Sequence, residues 1–284
     1  MNPPHFDRAP MEQPLLTVLV PVYNESPTID RLLRRLLEAP YPDKEIIVVD
    51  DGSDDGTDAV LERWTGHPNI LVLRHTGNRG KGAAVRTGLK HARGVLTLIQ
   101  DADLEYDPAD WPRLIEPLRR REAAVVYGSR YLQPVEPLPW SKFRVAVCLL
   151  NLLVRLLYGR RLSDEATCYK TMPTALFRAL ELRARRFELC AEITAKVCRL
   201  GLPILEVPIS YRPRTTLEGK KIGWRDAWST LWTLLQWRFL PLPRRRDIER
   251  EQPLLAGIDV ILQREVEAAC RSFAIGNDGS CEEA

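Results

Sequence analysis

Val95-Leu96-Thr97-Leu98-Ile99-Gln100-Asp101-Ala102-Asp103-Leu104-Glu105 decides the reading of the fold. An apolar, β-branched run stops abruptly in two carboxylates one residue apart. The run predicts a strand buried on both faces of a sheet. Its acids then fall at the carboxyl end, where open α/β sheets hold their ligands. Alternate residues of extended chain point the same way, so Asp101 and Asp103 can reach one point together. Two hard carboxylates aimed at one point suit Mg2+ or Mn2+, and such an ion can bridge to a diphosphate. A bare Asp-x-Asp fits a solvated turn equally well, so the surrounding chain has to decide.

Toward the N-terminus, Leu15 to Val22 is an apolar run and the first strand. Pro27 suits the first turn of a helix from about Thr28 to Glu38, with Ser26 as its N-cap. Leucines 32, 33, 36 and 37 form that helix's buried face. Glu45 to Asp50 is the second strand and runs into Asp51-Gly52-Ser53-Asp54-Asp55-Gly56-Thr57-Asp58. Thr57 or Asp58 can cap a helix beginning near Ala59. Ile70 to Arg74 is a third strand. In Gly77-Asn78-Arg79-Gly80-Lys81-Gly82-Ala83-Ala84, small residues open a helix and can offer backbone N–H groups to an anion, with Lys81 or Arg79 adding charge. The Walker spacing is absent, and tight helix–sheet packing would explain the same glycines. Beyond the acids, Asp107-Pro108 opens a helix to Arg121, and Ala123 to Tyr127 is a strand leading into Gly128-Ser129-Arg130.

The alternation of strands and helices implies an α/β fold with a parallel, doubly wound sheet and right-handed crossovers. It puts Glu25, Asp50, Asp51, Asp101 and Asp103 on one edge, where unpaired acids would repel one another. A bound cation with a nucleotide base and ribose would use them. At 284 residues and 45% apolar content the chain has ample material for a core, and the net charge of +3 is small. Arg183-Ala184-Arg185-Arg186 and Arg244-Arg245-Arg246 are solvated faces or attract phosphates or an anionic membrane. No nucleic-acid motif occurs, so nucleic acid is set aside. The six cysteines form no Cys-x-x-Cys pair and read as reduced thiols of a cytoplasmic protein. No signal peptide and no run of about 18 apolar residues is read.

Val20-Pro21-Val22-Tyr23-Asn24-Glu25, Asp50-Asp51-Gly52-Ser53-Asp54-Asp55-Gly56-Thr57, Asn78-Arg79-Gly80-Lys81-Gly82, Asp101-Ala102-Asp103 and Gly128-Ser129-Arg130 follow one another in that order. With them the chain resembles the family 2 glycosyltransferases, whose fold is the Rossmann-like GT-A fold. Thr167-Cys168-Tyr169-Lys170, Phe187-Glu188-Leu189-Cys190-Ala191-Glu192-Ile193, Pro208-Ile209-Ser210-Tyr211, Arg214 and Glu218-Gly219-Lys220-Lys221-Ile222 make it similar to the dolichyl-phosphate mannose synthase-like, polyprenyl-phosphate branch. The likeness covers about residues 15–240.

The resemblance implies a mostly parallel central sheet flanked by helices, with C-terminal amphipathic helices. It divides the chain into a disordered lead-in (1–14), a catalytic domain (15–223) and interfacial helices with a tail (224–284). Pro21, Tyr23 and Glu25, with Val49 and Asp51, would grip the base and ribose. Asp101, Ala102 and Asp103 would hold a metal, Mg2+ or Mn2+, and the diphosphate. Relatives often carry Gln where this chain has Glu105, a carboxylate that could also ligate the ion. Arg130, Arg214 and Lys221 match positions that neutralise donor or acceptor phosphates, and Lys81 adds charge to the nucleotide-sugar site. Asp103, Arg130 and Glu192 are the residues expected to act in the chemistry. Glu192 would serve as a base or positioning group, although a solvated helix glutamate fits it as well.

The implied activity is metal-dependent, inverting transfer of a hexose from GDP-mannose or UDP-glucose to a polyprenyl phosphate. Charge builds on the leaving diphosphate, so a metal and cations should be aimed there. A hydroxyl acceptor would require a general base, whereas a phosphate acceptor is already an anion and needs cations. The alternatives are a soluble family 2 enzyme acting on a saccharide or peptide hydroxyl, and a non-catalytic nucleotide-sugar sensor. Acceptor-side arginines count against the sensor.

Two segments bear on a membrane. Phe143 to Tyr158 is apolar nearly all round yet too short to span, and reads as a core helix or an interfacial one. Trp224, Trp228 and Trp232 share a helix face beside Lys220, Lys221 and Arg225, as an interfacial belt would. A core or homo-oligomer face explains the stripe too. Pro241, Pro243 and a polar end follow, and residues 251–273 read as one more amphipathic helix. The expected attachment is peripheral, at the inner face of the cell membrane.

Overall fold

The computed structural model describes residues 13–132, 142–214 and 224–242. Seven strands form one sheet: β1 (Leu16–Val22), β2 (Lys44–Asp50), β3 (Ile70–Arg74), β4 (Leu96–Ile99), β5 (Val125–Ser129), β6 (Lys170–Pro173) and β7 (Ile204–Pro208). Their order is β3-β2-β1-β4-β6-β5-β7. β1, β2, β3 and β4 are mutually parallel, with Leu19 opposite both Ile47 and Ile99. β6 is antiparallel to β4 and β5, while β7 runs parallel to β5. The architecture is the expected mostly parallel α/β sheet, with one reversed strand set into it. β6 reads poorly as a strand because Lys170 and Pro173 flank only two central residues, Thr171 and Met172.

The helices are α1 (Ile29–Glu38), α2 (Thr57–Glu62), α3 (Lys81–His91), α4 (Trp111–Arg119), α5 (Lys142–Tyr158), α6 (Thr174–Ala179), α7 (Leu189–Arg199) and α8 (Trp224–Phe239). Alternating side chains along the strands feed two cores. Val18, Val20, Ile46 and Val48 pack with α1 and α4, while Leu19, Ile47, Val49 and Ile99 pack with α3, α6 and α7. A third cluster joins α5, α7 and α8 through Val154, Ala195, Leu234 and Trp237.

Two expected caps move. Ser26 does not cap α1; its N–H donates to Asp55 in the neighbouring loop at 3.0 Å. α1 begins at Ile29, and its first N–H groups reach back to the Glu25 carbonyl. α2 begins at Thr57, two residues early, because the Asp55 carboxylate accepts the Thr57 N–H at 3.0 Å. Asp107 behaves as expected and accepts from the Ala109 N–H at the head of a 3-10 turn.

The lead-in through residue 12, Lys220, Lys221, the side chain of Trp224 and the segment 251–284 lie outside the described residues.

Candidate active site

The parallel strands deliver the acids to one edge. β4 ends at Ile99, and Asp101 to Leu104 form a turn rather than extended chain. Leu104 takes φ +63°, a left-handed conformation that a leucine rarely adopts. The turn brings the carboxylates together by a different route from simple alternation. Burial, with the negative charges of Asp101 and Glu105, pushes the Asp103 carboxyl up to about 7.

Lys81, the first residue of α3, answers that charge. Its ammonium is hydrogen-bonded to Asp101 and donates to the Cys168 thiol at 2.8 Å. Burial disfavours the ammonium, but the charge and hydrogen bond of Asp101 together with the nearby Cys168 and Cys190 thiols raise the Lys81 pKa on balance. Two oxygen-donor carboxylates, close enough that the Asp101 charge hinders ionisation of Asp103, form a donor set that suits Mg2+ or Mn2+. Glu105 lies next to that pair, its N–H donating to Asp103 at 3.1 Å. Its Oε2 accepts from the Tyr211 hydroxyl at 3.0 Å and its Oε1 from the Arg214 N–H at 2.9 Å. Among the described residues no three His, Cys, Asp or Glu side chains converge as a metal cluster. In this arrangement Glu105 also clamps the chain after β7.

Glu25 and Arg214, expected on base and phosphate, meet each other. The Arg214 guanidinium donates to both Glu25 oxygens, and its Nε donates to the Asp103 carbonyl at 2.8 Å. Asp51, at the end of β2, is buried and turned into the loop before α3. It accepts from the Arg79 and Gly80 N–H groups at 3.0 and 2.6 Å, and from His75 Nδ1 at 2.6 Å. A carboxylate can only accept, so that His75 nitrogen carries the proton. Pro21 and Tyr23 are half-buried at the end of β1. Val49, opposite Pro21 on the neighbouring strand, and Ala102 are buried.

Arg130 ends β5 and is buried, with Nε and Nη2 each 2.7 Å from Asp164. The rings of Phe143 and Tyr211 lie 5.2 Å from its guanidinium. Burial opposes the charge, but Asp164 restores it and raises the Arg130 pKa. A fork–fork pair of this kind fixes the orientation of the guanidinium. Asp164 carries no sequence signal of this role beyond a polar stretch.

Glu192 is fully buried in α7. It accepts from the Arg183 N–H at 2.9 Å, the Ala184 N–H at 2.6 Å and the Lys196 ammonium at 2.6 Å. These bonds hold the loop before α7 against the head of α3, where the Arg185 carbonyl accepts the Ala83 N–H at 3.0 Å. Only glycine fits there: a Cβ on Gly82 would stand 2.6 Å from the Ala184 carbonyl oxygen, and Gly80 has φ +94°. Of the two roles read for Glu192, the geometry supports positioning; a base would need to face the cleft.

Sheet order, the acidic turn after β4 and the cations set against it define the class: a glycosyltransferase of the GT-A fold. The fold is similar to glucosyl-3-phosphoglycerate synthase from Mycobacterium tuberculosis, solved with Mn2+, uridine diphosphate and phosphoglyceric acid. That match has a TM-score of 0.61 and 20% identity over 80% of both chains. A family model described as Glycosyl transferase family 2 matches residues 17–190. The chain is 32% identical to an undecaprenyl-phosphate mannosyltransferase from Micrococcus luteus, over 72% of this chain and 86% of that protein. It is 29% identical to the UDP-N-acetylglucosamine–dolichyl-phosphate N-acetylglucosaminyltransferase of Methanococcus voltae, over 70% of this chain and 86% of that one. The chain belongs to glycosyltransferase family 2, and it is an enzyme of that class.

Proposed function

We propose that this enzyme transfers a hexose from a nucleotide sugar to a polyprenyl phosphate, with inversion and with Mg2+ or Mn2+ bound. GDP-mannose and UDP-glucose are the donors put forward. Asp101 and Asp103 would hold the ion, which when bound neutralises charge on the leaving diphosphate. Pro21, Tyr23, Val49, Asp51 and Glu25 would frame the base and ribose. Lys81, Arg130, Arg214 and Lys221 would supply positive charge to the phosphates of donor and acceptor.

The observation that carries this reading is the burial of Glu192. The glutamate that could have served a hydroxyl acceptor as base is spent on two N–H groups and a lysine. A phosphate acceptor requires no base. Its oxygen forms the new bond to the anomeric carbon as the bond from that carbon to the diphosphate breaks. No proton has to be removed, and attack from the opposite side inverts the configuration. The relatives with lipid-phosphate acceptors in their names support the same choice, and their sugars differ.

A lipid acceptor needs a surface. Val145, Leu149, Leu152 and Leu156 are exposed along one stripe of α5, at spacings of four, three and four residues. On α8, which packs beside it, Trp228 and Trp232 are each 65% exposed and Phe239 is exposed as well. Arg155 and Arg238 are exposed on the same helices. Apolar stripes with cationic neighbours suit an anionic bilayer surface. No helix among the described residues is long and apolar enough to cross a membrane. The proposed position is peripheral, at the cytoplasmic face of the cell membrane. The test is transfer of labelled sugar from each donor to a polyprenyl phosphate in detergent or vesicles. Transfer only to a free saccharide or peptide hydroxyl would replace this reading with its soluble rival.

A further inference from the structure

Arg183, Arg185 and Arg186, in the loop between α6 and α7, are exposed, and their side chains have no part in sugar transfer as described above. Arg79, in the loop before α3, is exposed as well. The main chain brings the two loops together. The Arg185 carbonyl accepts the Ala83 N–H at 3.0 Å, and a Cβ on Gly80, next to Arg79, would meet the Arg186 side chain at 3.0 Å. Arg86, in the second turn of α3, donates from Nη1 to the Arg183 carbonyl at 3.2 Å. Among the described residues, none of these five arginines has an ion pair with a carboxylate. Two acids share the loop. Glu181 is exposed at its start, and Glu188 turns Oε1 onto the Arg185 and Arg186 N–H groups at 2.9 and 3.1 Å. The arginines outnumber these acids, so the patch is net positive and repels itself unless an anion covers it.

We infer that this patch is a docking surface for the headgroups of an anionic lipid bilayer, set beside the donor site. The inference rests on the peripheral placement proposed above and extends it from the apolar helices to a charged seat. In that proposal Lys81, Arg130 and Arg214 already answer the phosphates of donor and acceptor, so five further cations exceed what one more phosphate would need. Exposed guanidinia on a loop suit a delocalised surface of headgroups, whereas a discrete anion is held by oriented, bidentate donors. The patch is also continuous with α8. The Arg183 guanidinium lies 5.6 Å from the Trp237 ring, on the helix that exposes Trp228, Trp232 and Phe239.

Lys81 follows Gly80 at the head of α3 and carries the bond to Asp101. A bilayer held against Arg79, Arg185 and Arg186 therefore lies at the edge of the sheet that carries the acids. An acceptor phosphate at headgroup level reaches that edge without leaving the bilayer. The apolar stripes anchor the enzyme, and the arginines orient it. The backbone N–H groups of Arg183, Arg185 and Arg186 bond to Glu192 and Glu188, so replacing the side chains leaves those bonds in place.

Arg183→Ser/Arg185→Ser/Arg186→Ser in the full-length protein tests the seat. Co-sedimentation is measured with vesicles of phosphatidylglycerol and phosphatidylcholine, and with vesicles of phosphatidylcholine alone. Each arginine at an anionic surface contributes about five-fold in affinity, so the triple variant is expected to bind the mixed vesicles about 100-fold more weakly. Binding to phosphatidylcholine alone should be unchanged, and the melting temperature should hold or rise as self-repulsion is relieved. Should the triple variant fold poorly, Arg185→Ser/Arg186→Ser keeps the contact of Arg183 with Trp237 and should lose about 25-fold. Arg79→Ser alone should lose about five-fold. Arg183→Lys/Arg185→Lys/Arg186→Lys should bind as the unaltered protein does, because a surface potential reads charge rather than the planar fork. Raised salt should erase the difference between the serine variants and the unaltered protein. Equal binding of the triple serine variant and the unaltered protein to mixed vesicles overturns the inference, as does an equal loss on both kinds of vesicle. Loss of binding in the lysine variant, or displacement from vesicles by inorganic phosphate at matched ionic strength, assigns the patch to a discrete phosphate and overturns the bilayer. Absence of binding by the unaltered protein to either kind of vesicle strikes the peripheral placement itself, and the inference with it.

Discussion

Arg214 stands 189 residues from Glu25 in sequence, yet its Nη2 lies 2.8 Å from the Glu25 carboxylate. Its Nε also holds the Asp103 carbonyl. One side chain thus ties the end of the first strand to the acidic turn after the fourth. Both members of the pair are largely shielded from water, at 14% and 9% side-chain exposure. Removing one partner of such a pair leaves an uncompensated charge.

Arg214→Ala should therefore lower stability by about 3 kcal/mol. It should also lower kcat/KM by about 100-fold if the guanidinium serves the diphosphate. Arg214→Lys keeps the charge but not the fork, and should recover only part of each loss. Denaturant unfolding and steady-state kinetics on the two variants measure both effects.

Asp103 gives the site a pH signature. Burial and the charges of Asp101 and Glu105 raise its folded pKa to about 7, against an ordinary value of about 3.9. The folded metal-free protein therefore holds a proton that the unfolded chain has lost. This contribution to stability is fully present below about pH 4 and is lost as pH rises through about 7. Divalent-ion affinity should run the other way, rising with pH and levelling above about 7. Asp103→Asn should flatten the stability slope and abolish the thermal shift caused by Mn2+. Melting curves from pH 4 to 9, with and without Mn2+, check all three.

Glu192→Gln tests positioning against base catalysis. Losing the charge on Lys196 and weakening two N–H bonds should destabilise the protein by about 3 kcal/mol. Activity should fall while the shape of the pH–rate profile stays unchanged. Loss of the acidic limb of that profile, with stability intact, would identify a catalytic base and favour a hydroxyl acceptor.

The α5–α8 face predicts vesicle binding. Trp228→Ala/Trp232→Ala should keep the melting temperature within about 2 °C, since both rings are largely exposed. Burying one large apolar side chain contributes about 2 kcal/mol. The double variant should therefore lose at least about 100-fold in affinity for anionic vesicles in co-sedimentation.

The sequence made some of this legible and hid the rest for physical reasons. β1, β2, β4 and β5 announced themselves because strands buried on both faces are near-continuous apolar runs, β3 as a shorter apolar run, and acids mark the ends of β1, β2 and β4. β6 and β7 did not, since Lys170, Glu206 and terminal prolines interrupt short runs. The family motifs pointed to Asp101, Asp103 and Lys81, which the fold brings together. Pairings across long separations left no local trace. Glu105 bonds to Tyr211, Arg130 to Asp164 and Glu25 to Arg214, so residues expected to meet ligands also hold protein partners. Cys168 read only as a reduced thiol because only the fold sets it beside Lys81.

The central claim is that the acidic turn, the cations against it and the apolar helices together serve a lipid-phosphate acceptor. The most direct measurement is transfer of labelled sugar from a panel of GDP- and UDP-sugars, with Mn2+, to a short-chain polyprenyl phosphate and to the matching polyprenol. The account predicts an organic-soluble product only with the phosphate, dependent on Asp103. Transfer to the free alcohol alone, or to neither while a sugar hydroxyl is glycosylated, would contradict it.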